Sequence, residues 1–297
     1  MAMELLSEEG GCPIRLSLTD SISHSLILGK TGCGKSILAA TLLIDALING
    51  GWIAAVDVVK PDGTGSFSEL TYQVGGNYRN LQTGGNPLEP PDLRHCSQDV
   101  WQEKIIQFKE TVSGLILSMV AMDGAGSDLV PALVRKALSI FYPDRTSVES
   151  LWNPIFDAGI ESDRWQQQPT LRDLISLFST DILDAQQLYG EKAQEICAQI
   201  RLKLDAWLER PLGQSFCRPR DYRDDVLFVV YPFHTLSKDE ALVVAQRIFI
   251  EVTRNTLRYP NSVFSCDEIP VLMQHQPIAA TIARLISTGR KHCNRGI

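Results

Sequence analysis

The chain has 297 residues, and its 44% hydrophobic and 21% charged residues are typical of a folded globular protein rather than a disordered one. Its formal net charge of −7 lowers the expectation of a nucleic-acid-binding surface, because such surfaces usually carry a basic patch. The seven cysteines contain no C-x-x-C pair, which excludes the usual zinc-ligand spacing and predicts reduced thiols in a cytosol.

Residues 1–93 alternate short apolar runs with glycine-rich turns. We expect a strand at Ser25–Leu28, a helix at Lys35–Ile48, a strand at Trp52–Val59, a helix at Ser66–Val74 and a short strand at Tyr78–Leu81. Asn49, Gly50 and Gly51 predict the end of the first helix. Strand–helix–strand order with continuous apolar strands predicts a parallel sheet covered on both faces.

Residues 94–220 have almost wholly helical patterns, and we interpret them as a helical insertion or subdomain. Thr170 and Asp173 have the spacing of a capping box, with Asp in place of the usual Glu. Apolar residues recur with helical spacing at Val100–Met122, with an interruption at Gly114, at Ser127–Phe141 and at Ala193–Leu208.

Residues 221–297 return to the α/β pattern and are expected to form the half that carries the acidic motif. The predicted elements are a strand at Val226–Tyr231, a helix with a capping box at Ser237 that ends near Arg258, a strand at Val263–Cys266 and a helix from about Ile278 to Thr288. The whole chain therefore predicts an α/β fold, with a mainly parallel sheet and an all-α insertion.

A glycine-rich segment, GKTGCGKS at 29–36, matches G-x-x-x-x-G-K-[ST] in full and lies between a predicted strand and a predicted helix. Glycines permit a tight turn whose backbone N–H groups point at phosphate oxygens, and the following helix adds its positive N-terminal end. We therefore expect ATP with Mg²⁺, where Lys35 reaches the β- and γ-phosphates and the Ser36 hydroxyl binds the metal. The alternative is a glycine-rich turn without a ligand. The residues expected at the nucleotide are Gly29, Lys30, Thr31, Gly32, Cys33, Gly34, Lys35, Ser36 and Ile37.

Two carboxylates, Asp267 and Glu268, follow the predicted strand Val263–Cys266. At the end of that strand Asp267 would face the glycine loop across the sheet and hold Mg²⁺, directly or through water. Glu268 would orient and deprotonate an attacking water. The alternative is an ordinary acidic helix N-terminus, where Asp and Glu are favoured in any case.

Other positions leave alternatives open. Arg290 and Lys291 follow a predicted helix, where basic residues are favoured by the helix dipole, but a guanidinium there could also reach the γ-phosphate of this subunit or a neighbour. Asp57 could support Lys35 or a metal-bound water, or it could be a polar strand end. At Cys33 we expect the backbone, rather than the thiol, to matter.

Five blocks of the sequence, taken together, resemble the motor domain of the conjugative-transfer and type IV secretion ATPases, the TraC/TrbE-like branch of the FtsK–HerA superfamily. The resemblance covers nearly the whole chain, and the Gly-Gly…Asn-Pro and Gly-Arg-Lys blocks point to this branch. The blocks are PIRL at 13–16 before HSLILGKTGCGKS at 24–36, FSELTYQVGGNYRNLQTGGNPLEP at 67–90, PTLRDL at 169–174, DVLFVVYPFHTLSKDEALVVAQRIF at 225–249, and SVFSCDEIPVLM at 262–273 with STGRKHCNRGI at 287–297.

The resemblance implies a RecA-like P-loop fold that hydrolyses ATP to drive pilus assembly or substrate passage. Family members act as hexamers or related assemblies with other secretion components, in the cytoplasm at the inner face of the bacterial cytoplasmic membrane. For this sequence it implies that Lys35 and Ser36 bind phosphate and Mg²⁺, that Asp267 holds Mg²⁺ and that Glu268 activates water. Arg290 lies in the family's Gly-Arg-Lys block.

The sequence also departs from the family. Only some twenty residues precede the first predicted strand, where the family has a large N-terminal domain, and the family continues beyond the position of Ile297 into a strand with a polar γ-phosphate sensor. We therefore expect a motor shortened at both ends, which bears on hydrolysis more than on nucleotide binding. Pro232 stands where the family often has Asp, and Lys30 where Pro or Thr is commoner.

Two other functions are compatible with these residues. One is a DNA translocase of the FtsK–HerA type, against which the acidic composition argues. The other is a nucleotide-binding remnant with little hydrolysis. The apolar stretches are shorter than the roughly 20 residues of a membrane span, and the first eleven residues lack the apolar run of a signal peptide, so any membrane association is expected to be peripheral.

Overall fold

The computed structural model describes residues 3–5, 14–16, 25–30, 32–59, 63, 65–79, 85–93, 96–121, 127–142, 152, 155, 162–183, 190–219, 226–233, 238–259, 261–267, 278–279, 282–283 and 295–296. The chain divides into two compact units. We call Met1–Asn80, Arg223–Ser237 and Val252–Ile297 the sheet unit, and Leu81–Tyr222 with Lys238–Glu251 the helical unit. Residues 81–93 and 238–251, which we expected in the two α/β halves, thus lie in the helical unit.

Among the residues that the structure describes, the sheet unit contains an antiparallel hairpin, a five-stranded sheet, and helices at Lys35–Ile48 and Ser68–Gln73. The hairpin pairs β1 (Met3–Leu5) with β2 (Ile14–Leu16). The other elements are α1 (Lys35–Ile48), β3 (Ile53–Val58), α2 (Ser68–Gln73), β4 (Asn77–Tyr78), β5 (Phe228–Phe233), β6 (Val263–Cys266) and β7 (Arg295–Gly296).

The large sheet has the strand order β4-β5-β3-β6-β7, and each neighbouring pair is parallel. The run IAAV at the start of β3 is fully buried, because β3 lies at the centre of the sheet between two neighbours. Since all five strands are parallel, their carboxyl ends meet at one edge of the sheet, which we call the carboxyl edge. The predicted parallel sheet is confirmed.

Helix α1 has the predicted bounds, and its apolar residues pack against one face of the sheet. Its C-terminus is closed by a glycine turn: Gly50 has a φ of 77°, and the N–H of Gly51 donates to Ala46 O at 2.9 Å. Glycine suits this turn because other residues rarely adopt positive φ. The core between α1 and the sheet comprises Leu42, Leu43, Ala46, Ile53, Ala55, Phe67, Phe228, Val230 and Val263.

Two local expectations were wrong. Residues 25–30 form no strand: Leu26 and Leu28 are 70% and 81% exposed, and only Ile27 packs against the core. A short apolar run does not specify the neighbouring strand that its backbone would need. The interruption expected at Gly114 is also absent, because the helix continues through it; a Cβ there would lie only 3.2 Å from Gln246 Oε1 within the helical unit.

Asp57, at the carboxyl edge of β3, is fully buried and accepts three hydrogen bonds from residues that the structure describes. The backbone N–H groups of Ser66 and Phe67 donate to its carboxylate at 2.8 and 3.1 Å, and the Tyr78 hydroxyl donates at 3.3 Å. A Cβ at Gly65 would overlap the carboxylate and lie 2.6 Å from the Tyr78 hydroxyl oxygen, so this close approach requires glycine. We call these contacts the Asp57 network, and it joins β3, β4 and the start of α2.

The described part of the helical unit contains helices and no strand. None of the helices within the described ranges has the length and hydropathy that a membrane span requires. The helices are α3 (Gln98–Val120), α4 (Val130–Phe141) after a 3₁₀ turn at Ser127–Leu129, α5 (Asp163–Gln166), α6 (Leu171–Ser176), α7 (Thr180–Leu183), α8 (Lys192–Leu208), α9 (Pro211–Ser215) and the first part of α10 (Lys238–Arg258).

The predicted capping box is present at the start of α6, where the N–H of Thr170 donates to Asp173 Oδ2 at 2.7 Å. Ser237, expected to begin a second capping box, lies outside the described residues, as does most of the helix expected at 278–288.

A buried loop at 85–91 is held by the side chain of Asn86. Its amide nitrogen donates to Gln168 Oε1 at 3.1 Å and to Pro169 O at 2.8 Å, and its oxygen accepts the N–H of Leu88 at 3.0 Å. The hydroxyl of Tyr142 donates to Leu88 O at 2.8 Å. These bonds provide partners for polar groups of a loop that is shielded from water. An unpaired polar group there would lower the free energy of unfolding.

We predict that Asn86→Ala lowers the free energy of unfolding by about 2–4 kcal/mol, because it removes three buried hydrogen bonds and leaves their partners unpaired. Urea denaturation measures this. The control is Gln199→Ala, which removes an exposed amide and should change stability by less than about 0.5 kcal/mol. Equal stability of both variants would contradict the role of Asn86.

Burial, the negative charge of Asp57 and the hydrogen bond to it raise the pKa of the Tyr78 phenol to about 12. The folded pKa is thus above the ordinary value of about 10, so the stabilisation is present below pH 10 and is lost as the pH rises towards 12. In an ultraviolet titration, Tyr78→Phe should remove a tyrosinate transition near pH 12. Tyr72→Phe, at an 89% exposed side chain, should retain it; loss of the transition in both variants would reject the assignment.

Candidate nucleotide-binding site

The glycine loop turns sharply before α1 through two glycines with positive φ. Gly32 has a φ of 80° and Gly34 a φ of 88°, a conformation that side-chain-bearing residues rarely adopt. The N–H of Cys33 donates to Lys30 O at 3.3 Å, which closes the turn. The glycines therefore give the backbone the shape that the sequence motif requires.

Among the described residues, no side chain caps the N-terminus of α1. Gly34 occupies the N-cap position, and the first turn contains no acidic residue. Helix N-termini are usually capped by Ser, Thr, Asp or Asn, because their first N–H groups lack partners within the helix. Here those donors, and the positive end of the helix dipole, are left for an anion.

Lys35 and Ser36 lie in the first turn of α1. The ammonium of Lys35 donates to Lys30 O at 3.0 Å, which holds the long side chain along the loop. An ammonium has three donors, so this contact leaves others for phosphate oxygens. A Cβ at Gly29 would overlap the sulfur of Cys33, which requires glycine at the first position of the motif.

Asp267 lies at the carboxyl edge, directly after β6. Its N–H donates to Val56 O at 3.2 Å, which extends the ladder between β3 and β6 by one residue. Helix α1 packs against both of these strands. The structure therefore places Asp267 at the end of a strand that the glycine-loop helix contacts.

The described hydrogen bonds of Asp57 do not include the contact with Lys35 that was considered from the sequence. Its oxygens bind Ser66, Phe67 and Tyr78, whereas the ammonium of Lys35 donates to the loop carbonyl of Lys30. The described contacts of Asp57 are thus with local partners, and its support of a metal-bound water stays a prediction.

Several predicted residues have no structural test. Thr31, Glu268, Arg290 and Lys291 lie outside the described residues. The side chain of Ile37 is 74% exposed, so any nucleotide contact from this residue is expected from its backbone. The nucleotide and metal roles of these positions remain predictions.

Cys266 precedes Asp267 and bears on what the carboxyl edge can bind. Burial, with a smaller effect of the Asp267 charge, raises the pKa of the Cys266 thiol to about 12. A thiol that keeps its proton is a poor metal ligand and nucleophile.

Within the described ranges no three His, Cys, Asp or Glu side chains are grouped as a metal would need. The oxygen donors Ser36 and Asp267 fit Mg²⁺, which commonly retains several waters.

Gly65 and Tyr78 were not among the residues predicted from the sequence. Both support Asp57, and neither belongs to a motif with a fixed spacing. The paired glycines at 63 and 65 were the available indication, since glycine after a strand often marks a close backbone approach. Their partner could not be identified, because Tyr78 is 21 residues from Asp57 in the chain.

Neither a protein-family model nor a curated protein matches the sequence. Among solved structures, the chain is similar to VirB4 of Thermoanaerobacter pseudethanolicus, with a TM-score of 0.60 and 19% sequence identity. The similarity covers 97% of this chain and 73% of the VirB4 chain. It confirms the predicted fold class, and the chain therefore has the RecA-like α/β P-loop fold of VirB4.

Proposed function

We propose that this chain is an ATP-binding motor domain that hydrolyses ATP with Mg²⁺ to power type IV secretion, conjugative transfer or pilus assembly. The observation that carries the proposal is the uncapped N-terminus of α1, joined to a glycine loop with two positive φ angles and to Lys35. Backbone donors, a helix dipole and an ammonium converge there, which is the chemistry of a polyphosphate site.

The residues of the sheet unit fit both groups that the proposal needs. The loop Gly29–Ser36 would hold the phosphates through its N–H groups and Lys35. Ser36 and Asp267 would hold Mg²⁺, which neutralises charge on the phosphates when bound. The charges of the two sides support the assignment of the phosphates to the loop and of Mg²⁺ to the carboxyl edge. The loop presents N–H groups and a cation, whereas the carboxyl edge presents carboxylates.

Hydrolysis needs a base and a group that stabilises the charge developing on the phosphoryl oxygens. We assign the base to Glu268, which follows Asp267, and the stabilising cation to Arg290, of this subunit or a neighbour. Both assignments rest on the order of residues in the sequence.

The place of the motor in a secretion machine is supported by the likeness to VirB4 in fold. We propose that the chain acts as a homo-oligomer, a hexamer, in the cytoplasm at the inner face of the cytoplasmic membrane, with secretion components there. Binding to duplex DNA that falls steeply with rising salt would instead favour a DNA translocase of the same superfamily.

We predict that Lys35→Ala weakens ATP binding about 100-fold or more, because it removes the ammonium that faces the phosphates. Isothermal titration with a non-hydrolysable ATP analogue and Mg²⁺ measures this. Lys192→Ala, at an exposed lysine in the helical unit, should bind like the parent chain. No heat and no thermal shift from the parent chain itself would remove the nucleotide assignment.

For Glu268→Gln we predict unchanged ATP binding and loss of turnover, since glutamine keeps the shape of the side chain but is not a general base. Phosphate release and nucleotide titration, measured on the same preparation, separate the two effects. Turnover equal to that of the parent would remove Glu268 as the base. A parent that binds ATP without hydrolysing it would favour the nucleotide-binding remnant.

A further inference from the structure

The buried carboxylate of Asp57 lies beside Asp267 in the sheet. The register pairs Val56 of β3 with Cys266 of β6, and the N–H of Asp267 donates to Val56 O. Asp57 follows Val56 and Asp267 follows Cys266, so the two aspartates occupy opposing positions in this register. Neighbouring strands are about 4.8 Å apart, so the two backbones are adjacent at the carboxyl edge.

The two side chains also share a face of the sheet. Ile53 and Ala55 of β3, and Val263 of β6, belong to the core that packs against α1. Side chains alternate between the two faces along a strand with a period of two. Asp57 therefore belongs to the face of Ile53 and Ala55, and Asp267 to the face of Val263. Both carboxylates therefore belong to the sheet face on which the glycine-loop helix lies.

The Asp57 network surrounds this buried carboxylate with hydrogen-bond donors. Two backbone N–H groups and a hydroxyl donate to the carboxylate. Gly65 allows the loop to approach so closely. An acceptor for the N–H groups at the start of α2 need not be charged, since Ser, Thr or Asn commonly serves. A fully buried carboxylate in this role suggests that the charge has a use of its own.

We propose that Asp57 is a second, non-ligating carboxylate of the magnesium side: its charge raises the affinity of the nucleotide site for Mg²⁺, while Asp267 is the group that holds the metal. This inference rests on the proposed function. Both Asp57 oxygens already accept protein donors, so Asp57 acts through its field rather than by coordination.

The test is the Mg²⁺ dependence of binding a fluorescent, non-hydrolysable ATP analogue. Asp57→Asn should raise the Mg²⁺ concentration for half-maximal binding about three- to tenfold, because it removes one screened negative charge near a divalent cation. Binding of the analogue in EDTA should equal that of the parent, since the glycine loop is unchanged. Asp57→Glu, which keeps the charge, should restore the parent's Mg²⁺ dependence.

The matched control is Asp173→Asn, which neutralises a carboxylate that also accepts a backbone N–H, but in the helical unit. It should leave the Mg²⁺ dependence unchanged. If Asp57→Asn fails to fold, Ser66→Lys places an opposing charge on the exposed residue next to the carboxylate and is compared with the neutral Ser66→Gln. We expect the lysine variant alone to need more Mg²⁺.

Two results would overturn the inference, and they have different consequences for the proposed function. An unchanged Mg²⁺ dependence in folded Asp57→Asn, or identical behaviour of the two Ser66 variants, rejects the role of Asp57 and leaves ATP binding in place. Absence of analogue binding by the parent, with and without Mg²⁺, rejects the nucleotide site and this inference together.

Discussion

The uncapped N-terminus of α1 is the feature on which the candidate site depends. A helix begins with N–H groups that have no partner in the helix, and most proteins satisfy them with a side chain. Here the preceding residues are glycines that turn the backbone at positive φ and supply no cap. The resulting cluster of donors, with the ammonium of Lys35 beside it, is the basis of the proposed phosphate site.

The parallel sheet supplies the opposite charge. Parallel strands end at the same edge, so residues distant in the sequence, such as Asp57 and Asp267, become neighbours there. The core between α1 and the sheet fixes the helix against the strands that carry these carboxylates. Hydrophobic packing thus fixes the N-terminus of α1 relative to the carboxylates. The electrostatic attraction between these two features would be too weak in water to hold them in place.

The helical unit has its own apolar interior and its own buried side-chain hydrogen bonds. Asn86 satisfies a loop that is shielded from water, and Lys203 and the indole of Trp207, which donate to Ala121 O and Met119 O, satisfy carbonyls at the C-terminus of α3. At the loop 85–91 and at the C-terminus of α3, side chains from other elements thus donate to backbone carbonyls that lie in an apolar environment.

The sequence by itself determined the features whose cause is local. Helical periodicity gave the bounds of Lys35–Ile48, the capping spacing gave Thr170 with Asp173, and glycine sterics gave the loop between Gly29 and Gly34. Only the tertiary structure decided which donors reach Asp57 and that Ser25–Leu28 stays outside the sheet. A buried carboxylate and an extended backbone both need partners, and packing of distant segments, which no local pattern encodes, determines which partners arrive.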